Sequence, residues 1–129
     1  SDYSSWRYLT RFFSKVNLLL RIYHNPSCSK SRQALRTIVD SGLSHTVVKY
    51  LDGGVTKEEL TSLLLRLRGD PADAIRWNEE VAPEPMSELK VEDVVALILD
   101  VPKLLQRPII DDGTIAKVCR PPEIAEEFL

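Results

Sequence analysis

The amino-acid sequence predicts an α/β fold: a small four-stranded mixed sheet with helices on its faces. Three observations carry this. An apolar run at Leu18–Tyr23, a helical repeat and a β-branched run at Thr46–Val48 follow one another as a βαβ unit, whose two strands are parallel with a right-handed crossover. Leu60, Leu63, Leu64 and Leu67, and then Val91–Leu99, keep helical spacing and supply a helical insert. Two further apolar runs flank Asp112-Gly113 and are followed by a proline-led helix, which reads as a ββα unit.

Taken in order, strand one covers Leu18–Tyr23, and Pro26 ends it, because a proline cannot donate to a ladder. Helix one runs from Ser29 to Val39, with Ala34, Leu35, Ile38 and Val39 on one face and Gly42 as its stop. Strand two is His45–Tyr50. Thr56-Lys57-Glu58-Glu59 is a capping box that opens helix two, since Thr56 can accept from the third residue on and Glu59 can reach back. Gly69 is expected to end that helix, and Asp70-Pro71 to start another reaching Trp77, with proline in its first turn. Residues 81–87 are a loop, Val91–Leu99 a helix and Pro102–Leu105 a turn. Arg107–Ile110 is strand three, Asp112-Gly113 a type I′ hairpin turn, and Thr114–Val118 strand four. In the last helix Ile124, Ala125 and Phe128 would dock on the sheet.

The chain has 129 residues, 43% hydrophobic and 28% charged, with a net charge of −2. That is enough for one self-sufficient core, at residues 18–129. The charge argues against a general nucleic-acid binder. No run reaches the roughly 18 apolar residues that a membrane span needs. Residues 1–17 stand apart: Arg7, Arg11 and Lys15 face a single acid, Asp2, which fits a docked helix, a leader or an organelle-targeting segment. Two cysteines without a C-x-x-C spacing, Cys28 and Cys119, point to free thiols in a reducing, cytoplasmic setting. Nothing suggests more than a monomer.

The stretch with chemistry in it is His24-Asn25-Pro26-Ser27-Cys28-Ser29-Lys30-Ser31-Arg32. It sets one thiol where a strand hands over to a helix. Helix starts carry unpaired N–H groups and the positive dipole end, so anions collect there and thiols ionise more easily. Lys30 and Arg32 add positive charge. The combination reads as a thiolate nucleophile beside an oxyanion pocket. Cys119, among core-type neighbours, reads as a buried small hydrophobe. His24 and His45 are too few and too far apart to make a metal site with Cys28.

Three motifs carry a resemblance. They are His24-Asn25-Pro26-Ser27-Cys28 with Ser31-Arg32, then Arg107-Pro108-Ile109, then Cys119-Arg120-Pro121-Pro122-Glu123. Together with the element order they resemble the thioredoxin fold and, within it, the glutaredoxin-coupled arsenate reductase family of the bacterial plasmid type. The resemblance covers residues 19–129. The chain departs from the family at Ser29-Lys30, where Gly-Thr is commoner, and in a shorter segment between Arg76 and Val91. A related regulator branch with C-x-x-C is disfavoured, because Ser31 stands at the second cysteine's place. The resemblance implies that Cys28 attacks arsenic and that His24 and Ser31 tune its thiol. It implies that Arg76, Arg107 and Arg120 hold the oxyanion, and that Pro108 is a cis-proline facing the site. It further implies arsenate as substrate, glutathione as co-substrate with no bound cofactor, and glutaredoxin as partner. The plainer alternatives are a strand-end hydrogen bond for His24 and an ordinary helix residue for Arg76. On the same fold, a general thiol oxidoreductase or a non-enzymatic redox-sensing module stays open.

Overall fold

The computed structural model describes residues 20–86 and 88–129; the expectations for residues 1–17 lie outside them. Its strands are β1 (Leu20–Tyr23), β2 (His45–Val48), β3 (Ile109–Asp111) and β4 (Ala116–Val118), and its α-helices are α1 (Ser29–Ser41), α2 (Lys57–Arg66) and α3 (Val91–Asp100). Short 3₁₀ segments follow β2 at Tyr50–Asp52, α2 at Pro71–Ala74 and α3 at Pro102–Leu104, and another closes the chain at Pro122–Phe128. The sheet runs β2-β1-β3-β4, with β1 and β2 parallel and both other pairs antiparallel.

Both faces are covered. Leu20, Ile22 and Ile110 pack with Ala34 and Ile38 of α1 and with Ala125 and Phe128 of the C-terminal segment. Tyr23 and Ile109 point the other way, into Leu60, Leu63 and Leu64 of α2 and Val94, Val95 and Ile98 of α3. The strand period of two thus splits one sheet between two cores. Each buried aliphatic side chain contributes about 1.5–3 kcal/mol relative to exposure. Gly42 ends α1 with φ 76°, a left-handed geometry that glycine adopts without steric cost. Thr56 accepts from the Glu59 N–H at 3.1 Å to start α2.

Several expected details differ. Strand two ends at Val48 rather than Tyr50, where a 3₁₀ segment begins, and the last helix is 3₁₀. Helix α2 stops at Arg66 rather than at Gly69, because Leu67 bridges to Ala116 of β4 and the Arg68 N–H donates to the Ala116 carbonyl. The helix expected from Pro71 to Trp77 ends at Ala74, because Ile75 bridges to Leu105. Strand pairing begins at Ile109, not Arg107, and at Ala116, not Thr114. The hairpin is not a type I′ turn: Gly113 has φ 91° while Asp112 stays in the ordinary region. Asp112 instead caps a four-residue loop through Oδ1, which accepts from the Thr114 and Ile115 N–H groups at 2.8 Å. An aspartate that can fold back on its own backbone competes with the tight turn.

At the end of β3 the Asp111 carboxylate, 1% exposed, is gripped by Arg66 of α2, whose Nε lies 2.9 Å from Oδ1 and 3.2 Å from Oδ2. The Gly113 N–H donates to the same carboxylate at 2.9 Å. This ties the insert's first helix to the hairpin.

Candidate active site

The strand registers decide which residues meet. Ile109 pairs with Val118 across β3 and β4, so that ladder, continued outward, sets Pro108 against Cys119 and Arg107 against Arg120. The Cys119 N–H does donate to the Pro108 carbonyl at 2.8 Å, and Arg120 Nη1 donates to the Arg107 carbonyl at 3.0 Å. Tyr23 pairs with Ile109 and, on its other side, with Val48. The residues after Tyr23 and after Val48 therefore leave the sheet at the same edge as Arg107 and Arg120. The Arg107–Pro108 and Arg120–Pro121 peptide bonds are both cis.

At that edge Cys28 is the N-cap of α1, with extended backbone (φ −98°, ψ 121°). An N-cap side chain faces the N–H groups of the second and third helical residues, here Lys30 and Ser31. The preceding loop is pinned: Cys28 N–H donates to the Asn25 carbonyl at 3.0 Å, Ser27 N–H to Asn25 Oδ1 at 2.9 Å, and Arg32 Nη1 to the Pro26 carbonyl at 2.7 Å. Arg32 is thus a brace for the loop. Half-buried Cys28 has Arg120 Nη1 at 4.0 Å from Sγ. Burial alone would raise its pKa, but the Ser31 N–H, the Arg107 guanidinium and the Lys30 N–H outweigh it and bring the thiol below its ordinary value. We expect the iodoacetamide rate, followed against pH, to inflect on the acid side of a free peptide thiol, because thiolate is the reacting form. An inflection at or above the free-thiol position would contradict this electrostatic account.

Ser31 is fully buried. Its Oγ shares a 2.6 Å hydrogen bond with His24 Nδ1 and accepts from the Asn25 N–H at 3.1 Å. His24 therefore touches the serine, whose own backbone N–H faces the sulfur. Burial, then the charges of Lys49 and Arg32, hold the His24 pKa below its usual value, which favours the neutral ring at neutral pH.

Arg76 is positioned by the bridge from Ile75 to Leu105, and its N–H donates to the Leu104 carbonyl at 2.7 Å. Its Nε lies 3.4 Å from Glu79 Oε2, and Glu79 in turn faces Lys103 at 3.8 Å. The structure places Arg76 within electrostatic reach of Tyr50 with its head group shared with Glu79.

Tyr50 is the residue that the sequence reading did not put in the site. It is 2% exposed, and its hydroxyl has no hydrogen-bond partner among the described residues. The Nε atoms of Arg76 and Arg107 are buried and likewise without a hydrogen bond. An unsatisfied buried polar group costs about 1–3 kcal/mol, so the Tyr50 hydroxyl and Arg107 Nε mark a place for an acceptor, whereas Arg76 Nε already faces the Glu79 carboxylate at 3.4 Å. Burial raises the Tyr50 pKa, against the opposing charge of Arg107, and so keeps the hydroxyl as a neutral donor. The signals in the sequence were the position of Tyr50-Leu51 just after strand two and the match of that pair to the family pattern.

Cys119 is not exposed at this edge. It is fully buried with Ile110 and Ala125, and its thiol donates to the Lys117 carbonyl at 3.6 Å. Burial pushes its pKa up to about 12.

Fold and site together define a thioredoxin-like protein with a single accessible thiol at a helix start, flanked by the guanidinium groups of Arg107 and Arg120. Residues 23–128 match the model of the ArsC family. The arsenate reductase of Escherichia coli K12 is 34% identical over 113 residues, covering 85% of this chain and 80% of that protein. The uncharacterized protein YfgD of the same organism is 36% identical over 114 residues, covering 85% of this chain and 96% of that one. The structure of an arsenate reductase from Vibrio cholerae superposes with a TM-score of 0.76 at 35% identity, covering 87% of this chain and 98% of that one. The chain belongs to the ArsC family.

Proposed function

We propose that the protein reduces arsenate to arsenite through a covalent Cys28–arsenic adduct, with glutathione and glutaredoxin supplying the electrons. The observation that supports this most is the meeting of Cys28 with Arg107 and Arg120, 79 and 92 positions away, at one sheet edge. A thiolate must approach an anion there, and guanidinium groups offset the repulsion while offering paired hydrogen bonds. They also stabilise charge that shifts onto oxygen as sulfur bonds to arsenic. Tyr50 adds a neutral donor, and Arg76 would join the oxyanion site by parting from Glu79.

The chemistry balances as follows. The Cys28 thiolate displaces one arsenate oxygen, which leaves as water, and an S–As bond forms. A glutathione thiol replaces a second oxygen, releasing another water. A glutaredoxin thiol then attacks the glutathione sulfur; the electron pair of that S–As bond passes to arsenic, which becomes trivalent, and a mixed disulfide leaves. Water displaces Cys28, regenerating the thiol and releasing arsenite. Among the described residues the only other thiol, Cys119, is buried, so both reducing thiols come from outside.

The test is arsenate-dependent NADPH oxidation in a coupled assay with glutathione, glutaredoxin and glutathione reductase. Turnover that depends on arsenate is expected. Folded protein that shows none with several glutaredoxins, yet reduces hydroxyethyl disulfide, would replace this reading with a general thiol oxidoreductase.

A further inference from the structure

Next to Arg120 lies a cleft of about 540 Å³, within the roughly 300–1,000 Å³ range of small-molecule sites. Arg68, Asp73, Gln106, Lys117, Arg120 and Glu127 supply its polar lining. Arg120 belongs to both places: one nitrogen lies 4.0 Å from Cys28 Sγ, while the side chain also lines the cleft. Lys117 and Glu127 pair with each other at 2.6 Å. The Arg68 side chain has no ion pair or hydrogen bond among the described residues, although its backbone is fixed to β4 by the 2.9 Å bond to the Ala116 carbonyl. An unpaired cation on a rigid support, with the Asp73 carboxylate in the same lining, suits a ligand that carries charges of both signs. A bare oxyanion or a nucleic acid would meet Asp73 and Glu127 as repulsive groups.

We propose that this cleft is the subsite of the thiol co-substrate, a small zwitterionic peptide thiol, with Arg68 binding one of its carboxylates and Asp73 its ammonium group. The assignment rests on the reading of Cys28 as a nucleophile whose adduct is resolved by an external thiol. The shared arginine supplies the connection: a peptide anchored at Arg68 and Asp73 lies next to the guanidinium that adjoins the Cys28 sulfur. Its thiol then has a path to arsenic held on Cys28.

The test has a binding arm and a kinetic arm. In the first, S-methylglutathione, which cannot react, is titrated into the ¹⁵N-labelled full chain without arsenate. Shifts are expected at the amides of Lys117, Val118 and Ile124, and Arg68→Glu is expected to weaken binding about fivefold or more, the scale of a screened charge interaction. Arg68→Gln should weaken it less, and Arg36→Glu, at an exposed site on α1, not at all. In the second, Arg68→Glu should raise the KM for glutathione by a factor at least as large, well beyond any change in the KM for arsenate. Shifts confined to other surfaces, or an Arg68→Glu variant that binds like the wild type, would overturn the assignment. So would an Arg68→Glu effect limited to the KM for glutaredoxin, which would make the cleft a protein-docking surface. Binding in the cleft by a protein that never turns over arsenate would support the subsite and refute the arsenate reading instead; turnover without cleft binding would do the reverse.

Discussion

Cys28→Ser is expected to bring arsenate-dependent turnover down to the assay background, a loss on the order of 10³-fold or more, the scale seen when a nucleophile is removed. Serine keeps the size and the N-cap position, so the helix start and the loop around Asn25 should survive. What it lacks is an ionisable sulfur. The backbone N–H groups and Arg107 lower the thiol's pKa, but a hydroxyl lies too far above neutrality for the same groups to ionise it. Arg120→Ala in the same assay should cost about 10²–10³ in kcat, as for loss of one donor that stabilises developing oxyanion charge. Arg120→Lys should recover only part of it, because an ammonium group cannot make the paired, planar contact. An Arg120→Ala enzyme with unchanged kcat would remove that arginine from the chemistry. Circular dichroism and thermal unfolding of each variant separate lost chemistry from lost fold.

Arg66→Ala should destabilise the protein by about 3–5 kcal/mol, the range for breaking a buried pair by removing one partner. The arginine is the main counter-charge of Asp111, which is almost fully buried at the end of β3. Without it the carboxylate keeps one N–H donor, from Gly113, with Tyr23 beside it and Arg21, which pairs with Glu59, opposite it on β1. Arg66→Ala combined with Asp111→Asn should be less damaging than Arg66→Ala alone, because the stranded charge is then gone. Urea unfolding of the two variants measures the difference. Equal losses would mean that the arginine acts by packing its aliphatic stem, not by charge.

How much of this was legible beforehand differs from place to place. The helix at Ser29, its stop at Gly42 and the start of α2 at Thr56 follow from side chains acting on backbone within a few residues. That helices cover both faces of the sheet follows from the apolar runs at Leu18–Tyr23 and Ile109–Ile110, as expected of strands buried on two sides. The hairpin was misread because Asp112 satisfies two backbone donors in a wider loop, a competition that a dipeptide signal does not contain. Helices α2 and Pro71–Ala74 ended early for a different reason: Leu67 and Ile75 were drawn into pairings with Ala116 and Leu105, about 50 and 30 positions away.

By itself the sequence determined that a thiol stands at a helix start after a buried strand, since that depends on local periodicity and capping. Its motifs, through family resemblance, also pointed to Arg107, Arg120 and Pro108. Only the tertiary structure decided which groups share space with the sulfur. The strand registers bring Arg107, just before β3, and Arg120, just after β4, together, and the tertiary packing seats Tyr50 at the same edge with its hydroxyl unpaired, turns His24 onto Ser31 and buries Cys119. Those outcomes depend on pairings between distant segments and on which way each side chain points, and neither is contained in any local stretch of residues.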